Sequence, residues 1–191
     1  MRILLLTVAL LMTSCITINE PRVIDPPPKT GYINPTFDPI VQRFIYEAKV
    51  RGNLVDLSHI AMQLGNTREN KRSKNVGFCT LDINGDMLIM MNTSTWNKLG
   101  DYQREESLFH EMGHCLIGRK HCRFESKEGP ISIMYPHLLN EAYYRKNRED
   151  LVDELFNARP ECTNDKYYGD DADTDEVDRS IRSQTHSDFK R

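Results

Sequence analysis

The chain has 191 residues, enough for one domain with appendages, and its 39% hydrophobic and 28% charged content is that of an ordinary globular protein. A formal net charge of −3, with acids and bases mixed along most of the chain, argues against a nucleic-acid partner, which needs a basic face.

Residues 1–15 stand apart from the fold. Arg2 supplies a short positive region, Ile3–Met12 is an almost uninterrupted apolar run, and Thr13 and Ser14 lead into Cys15. The run is too short to span a bilayer as a mature helix. It resembles a bacterial lipoprotein signal, which implies cleavage before Cys15, acylation of that cysteine, and a membrane-anchored lipoprotein on the periplasmic or cell-surface side. Residues 16–35 hold Pro21, Pro26, Pro27, Pro28 and Pro35 and few apolar residues, the composition of an extended tether.

A domain is expected over residues 36–160. Asp38 as N-cap, Pro39 at the first helical position and Gly52 as C-terminal stop punctuate a helix. Its buried stripe is Ile40, Val41, Phe44, Ile45 and Ala48. Leu54–Leu64 reads as a strand with Val55 and Leu57 on one face and His59 as a surface residue, and residues 65–75 read as a polar, basic, solvated loop. Val76–Ile83 and Met87–Asn92 flank Asn84-Gly85, a strong hairpin signal. Trp96 is expected to anchor the packing beside the helix that follows.

That helix is expected from Asp101 to about Ile117, with Glu105 and Glu106 in its early turns and Leu108, Phe109, Met112, Leu116 and Ile117 as apolar backing. It carries F-H-E-M-G-H-C-L-I-G-R-K-H, residues 109–121. His110 and His114 lie one turn apart on one face, so both rings can reach one metal ion. Glu111 points to the side of that face, where it can reach a water without crowding the ion. Gly118 can end the helix and let the chain return with His121 as a third nitrogen. Three protein ligands leave one position open, the arrangement of a catalytic rather than a structural zinc.

Downstream, Ser132-Ile133-Met134-Tyr135-Pro136 forms a short Pro-terminated loop, and Leu138–Asn157 reads as a second helix with Leu139, Ala142, Tyr143, Leu151, Leu155 and Phe156 as its apolar residues. From residue 161 to 191 the chain turns polar and acidic and is expected to be a disordered tail. Its D-D-A-D-T-D-E run lacks the glycine and distal glutamate of an EF-hand calcium loop. Export permits disulfides. Apart from Cys15, four cysteines remain, and sequence alone leaves three connectivities open. The pairing expected is Cys79–Cys115 and Cys122–Cys162, because Val76–Ile83 should lie near the histidine helix while Cys122 and Cys162 both lie outside it.

These residues resemble the zincin metallopeptidases, specifically the metzincin branch, with H-E-x-x-H-x-x-G-x-x-H on a helix and a methionine turn beneath the metal. They also resemble small bacterial and phage lipoprotein metallopeptidases with the same order of motifs. The resemblance covers about residues 76–136, a third of the chain. It implies an α+β metzincin-like fold with an N-terminal helix, a short mixed sheet, the metal-binding helix and a C-terminal helix. It further implies Zn²⁺ on His110, His114 and His121, Glu111 as general base, Met134 as the turn methionine, and a peptide or protein substrate laid along Met87–Asn92 as an edge strand.

Two departures stand out. Ile117 occupies the motif's glycine position, so Gly118 and His121 come one residue late, and Glu141 is the alternative third ligand. Tyr135 follows Met134 directly, one place earlier than the tyrosine that stabilises the transition state in metzincins. Two other functions use the same residues: a zinc hydrolase of cell-wall peptides or amides, and a non-catalytic zinc-binding lipoprotein.

Overall fold

Asn34 opens the first helical turn among the described residues, its side chain accepting from the Thr36 amide at 3.0 Å. The computed structural model describes residues 31–65, 76–82 and 84–163. The signal-like segment with Cys15, the tether up to residue 30, most of the basic loop and the acidic tail after residue 163 lie outside the described residues. The start of the expected tail does not, since Pro160–Cys162 is a 3-10 turn with Cys162 buried by its bond to Cys122.

A 3-10 turn, Pro35–Phe37, leads into α1, Asp38–Val50. Asp38 is therefore the first helical residue and not the cap, because Pro35 and Phe37 already turn the chain before it. Ile40, Val41, Phe44 and Ala48 are buried as the spacing requires, with Ile45 half-buried. Gly52 ends the turn with a φ of 77°, a conformation that favours glycine.

The first strand is shorter than the apolar pattern suggests. β1 is Ile60–Gly65, and Leu54 is 98% exposed. Between them the Asp56 carboxylate accepts from the Ser58 amide at 2.8 Å, an Asx turn that breaks the extended run. β2, Gly77–Leu81, and β3, Met87–Asn92, form the expected antiparallel hairpin. Asp82 Oδ1 accepts from the amides of Asn84 and Asp86 inside its turn, and Gly85 takes a φ of 85°.

The strand order is β1-β3-β2, with β1 parallel and β2 antiparallel to β3. Met87–Asn92 is thus the central strand and not an edge. Its run M-L-I-M-M is that of a strand covered by neighbours, and Ile89 and Met91 are fully buried. Residues 31–34, read as tether from their proline-rich context, pair with β1. Met62 donates to the Tyr32 carbonyl at 2.8 Å, and Asn34 to that of Met62 at 2.9 Å. Among the described residues β2 is the edge left unpaired.

After β3, Asn92 caps a single helical turn, α2, Thr93–Trp96. Trp96 packs edge-on against Phe37, and Arg104 of the next helix donates to its carbonyl. That helix, α3, spans Asp101–Ile117 as expected. It lies against β2, β3 and α1, with Phe109 edge-on to Phe44 at 5.0 Å. A two-stranded hairpin, β4 Glu125–Ser126 and β5 Gly129–Pro130, precedes α4, Glu141–Phe156.

Asn140 caps α4 by accepting from the amides of Ala142 and Tyr143, so the helix starts three residues later than its apolar content suggests. Tyr144, Leu151, Val152, Leu155 and Phe156 are buried, whereas Ala142, assigned to the apolar set, is exposed. The helices α1, α3 and α4 are joined by a polar cluster in which Glu105 accepts from Arg43, Tyr144 and Arg148, and Arg148 also donates to Glu47. The described residues form an α+β fold of four α-helices with a small mixed sheet.

Candidate metal centre

The site is built on the second half of α3 and the loops that return to it. His110 and His114 project from one face of the helix, and their Nε2 atoms are 3.1 Å apart. His121 brings its own Nε2 to 3.2 Å from each of them. The three rings are half-buried and offer one ligand atom apiece within a small triangle.

The tautomers follow from the second nitrogens. His110 Nδ1 lies 2.8 Å from the Ile133 carbonyl and His114 Nδ1 lies 2.6 Å from the Arg119 carbonyl. A carbonyl only accepts, so each Nδ1 carries the proton and each Nε2 of the neutral ring presents a lone pair. Burial, then the neighbouring His114 and His121, hold His110 down to about 3; burial likewise lowers His114. The two Nε2 lone pairs of His110 and His114 face each other at 3.1 Å with no proton of their own between them, an arrangement that a cation held among the three rings relieves. In a tetrahedral site with bonds of about 2.05 Å the ligand nitrogens stand roughly 3.3 Å apart, and the observed 3.1–3.2 Å fits that spacing. The residues present fit a metal ion.

The late third histidine is accommodated at the end of the helix. Gly118 takes a φ of 70°, and the Arg119 amide donates to the Gly113 carbonyl, six residues back, at 2.9 Å. A helix bond reaches back four. This closure is the common glycine-ended helix stop, set one residue later than in H-x-x-G-x-x-H, and from it His121 still reaches the other two rings. Cys122 then donates to the Met134 carbonyl at 2.8 Å and is bonded to Cys162, so the residue after His121 is pinned on two sides.

Glu141, the alternative ligand, is elsewhere. Its carboxylate would lie 2.9 Å from a Cβ built on Gly100, before the first turn of α3 and about 15 Å along the helix from His110.

Met134 sits in the turn Ser132–Tyr135, closed by the Tyr135 amide donating to the Ser132 carbonyl at 3.2 Å. It is fully buried, and its Sδ would come within 2.6 Å of a Cβ added at Gly113. Glycine between the two histidines is what lets the turn approach the helix. Tyr135 does not direct its hydroxyl to the histidines: it donates to Glu125, which raises the phenol's pKa.

Glu111 is buried and pushed up to about 8 by burial, opposed by a hydrogen bond from the Cys79 amide. That amide is available because of the sheet register. The Asn92–Val76 and Asp82–Asp86 bonds make the even-numbered residues of β2 the hydrogen-bonded partners of β3, which turns the Cys79 N–H outward. The Cys79 side chain is bonded to Cys115, one turn beyond Glu111 on the same face of α3, with their Cα atoms 5.7 Å apart. One residue of β2 therefore ties the outer strand to the helix and holds the candidate base. Both disulfides have the pairing expected from the sequence.

Sequence reasoning gave no role to Arg119 or Glu154 and none to Ser132 beyond its place in the turn. Glu154 is wholly buried, accepting from Arg119 Nη2 at 2.5 Å and from the Ser132 hydroxyl. Its signal was an acid inside the apolar run Leu151–Phe156. No protein-family model, curated protein or solved structure matches the chain.

Proposed function

We propose that this chain is a zinc-dependent endopeptidase of metzincin-like construction, held at a membrane by a lipid on Cys15. The observation that carries the reading is the convergence of three Nε2 atoms, two of them from the helix that also carries the buried Glu111. His110, His114 and His121 would hold the ion, three nitrogens with no carboxylate or thiolate, which is the donor set of a catalytic zinc with one open position. When bound there, zinc supplies Lewis acidity that acidifies water and polarises a carbonyl.

The chain's own residues account for the rest. Glu111, buried and held by the Cys79 amide, is the carboxylate placed to take a proton from water and return it to the leaving amine. The carbonyls of Ile133 and Arg119 keep the ligand rings in one tautomer. Substrate binding shifts from β3 to β2. An internal strand cannot accept another, whereas β2 is the unpaired edge among the described residues and runs past Glu111. An extended peptide added there would place a backbone amide near the base. The two disulfides agree with an oxidising compartment, and no helix among the described residues is long and apolar enough to cross a membrane.

The test is Glu111→Gln, which keeps the ligands and removes the base. Hydrolysis of a peptide library should fall by about 10²–10⁴-fold while zinc content stays at the wild-type level. Unchanged hydrolysis would rule the mechanism out. Activity on purified peptidoglycan alone, with casein and peptides untouched, would move the substrate to cell-wall peptides.

A further inference from the structure

We infer that Glu154 is a positioning residue shared by His110 and His114: one buried carboxylate anchors both backbone carbonyls that orient the two rings. The inference rests on the metal-centre reading and adds to it a residue from α4, outside every motif of the site.

Two hydrogen-bonded paths leave the carboxylate. On the first, Glu154 Oε1 accepts from Arg119 Nη2 at 2.5 Å, and the same arginine's carbonyl accepts from His114 Nδ1 at 2.6 Å. Arg119 is further fixed by two bonds from Nη1 to the carbonyls of Glu154 and Leu155, each 2.7 Å. On the second, Glu154 Oε2 accepts from the Ser132 hydroxyl, whose oxygen accepts from the Met134 amide at 3.0 Å. Ile133 lies between those two residues, and its carbonyl accepts from His110 Nδ1 at 2.8 Å.

The direction of each bond is set by chemistry. A serine hydroxyl that donates to a carboxylate has its lone pairs left for the Met134 amide. Arg119 only donates, so its partner must accept. Glu154, Ser132 and Ile133 are fully buried, so no water competes for these contacts. A buried acid is costly to retain for stability alone, since apolar residues in its place often do as well. Here it touches both loops that return to the histidines, through Arg119 on one and Ser132 on the other. Outer partners of ligand histidines commonly govern metal affinity by about 10- to 100-fold.

The experiment compares wild type, Glu154→Gln, Ser132→Ala and Arg148→Met. Two readouts are used: zinc affinity by competition with a chelating dye, and histidine ring-nitrogen chemical shifts of the metal-free chain. Glu154→Gln removes the charge facing Arg119 and places an amide NH₂ at one of the two contacts. It should weaken zinc binding by about 10- to 100-fold and cost His110 and His114 their single Nδ1–H tautomer. Ser132→Ala leaves the ion pair intact and should affect His110 while His114 keeps its signature. Arg148→Met breaks the separate Glu47–Glu105 cluster and should lower Tm with unchanged zinc affinity.

Wild-type zinc affinity and tautomers in folded Glu154→Gln and Ser132→Ala would overturn the inference and leave the metal centre standing. If Glu154→Gln fails to fold, Ser132→Ala decides in the same way. A wild-type chain that binds no zinc defeats the metal reading instead, and the ring-nitrogen shifts still decide whether Glu154 orients the rings.

Discussion

Glu106 should make the metal-free protein lose stability as pH rises. It lies one turn before His110 on α3 and is only 2% exposed. One carboxylate oxygen accepts from the Leu139 amide at 3.1 Å, and the other is buried with no partner. Burial raises its pKa from 4.5 to about 8, against the smaller opposing pull of the Leu139 amide. The folded-state pKa of this acid lies above its unfolded value, so the sign is opposite to that of a salt-bridged carboxylate. Below about pH 4.5 both states are protonated and nothing is lost. Between 4.5 and about 8 the unfolded chain ionises while the folded one does not, and stability falls by at most about 1.4 kcal/mol per pH unit. An interval of about 3.5 units caps the loss near 5 kcal/mol, and water entering around the ionised group reduces it, so about 2–3 kcal/mol is expected. Urea denaturation in chelator at pH 5 and pH 9 measures it. Glu106→Gln, neutral throughout, should remove that part of the slope and be the more stable protein at pH 9. Parallel pH profiles for the two proteins would refute the reasoning.

Three further outcomes follow from named contacts. Gly113→Val puts a branched side chain where Met134 Sδ and Leu155 Cδ1 would lie within 2.6 and 2.9 Å of its Cβ. It should cost about 1–3 kcal/mol by thermal denaturation and weaken zinc binding as the turn is displaced. Replacing Cys79 and Cys115 together by alanine opens a crosslink spanning 36 residues. The loss should approach about 4 kcal/mol in denaturant titration. Glu141→Ala should leave zinc affinity unchanged, since that carboxylate stands beside Gly100; His121→Ala should lose most of the metal.

What the sequence revealed and what it hid divide along local and non-local physics. The bounds of α3 were legible because His110, His114 and the apolar backing share one period and Gly118 ends it. The β2–β3 hairpin was legible because Asn84-Gly85 is a turn signal that acts over a few residues. Strand order was half legible: the apolar run Met87–Met91 is that of a covered strand, but nothing in it names residues 31–34 and β1 as the segments that pair beyond it and leave β2 outside. The start of β1 was misread because Asp56 and Ser58 form a turn within an alternating pattern. Glu154 was hidden for a related reason, since its partners Arg119 and Ser132 are 35 and 22 residues away and meet it only once α4 has packed. The position of His121 was legible as a spacing and Gly118 as the helix stop, but that its ring meets the other two depended on the path of residues 119–121, which no local signal fixes.

The most direct test of the account is metal analysis of protein purified without chelator, joined to X-ray absorption at the zinc edge. About one zinc per chain is expected, with three imidazole nitrogens in its shell, and that signal should be lost in His114→Ala. Absence of zinc, or a shell containing sulfur, would contradict it.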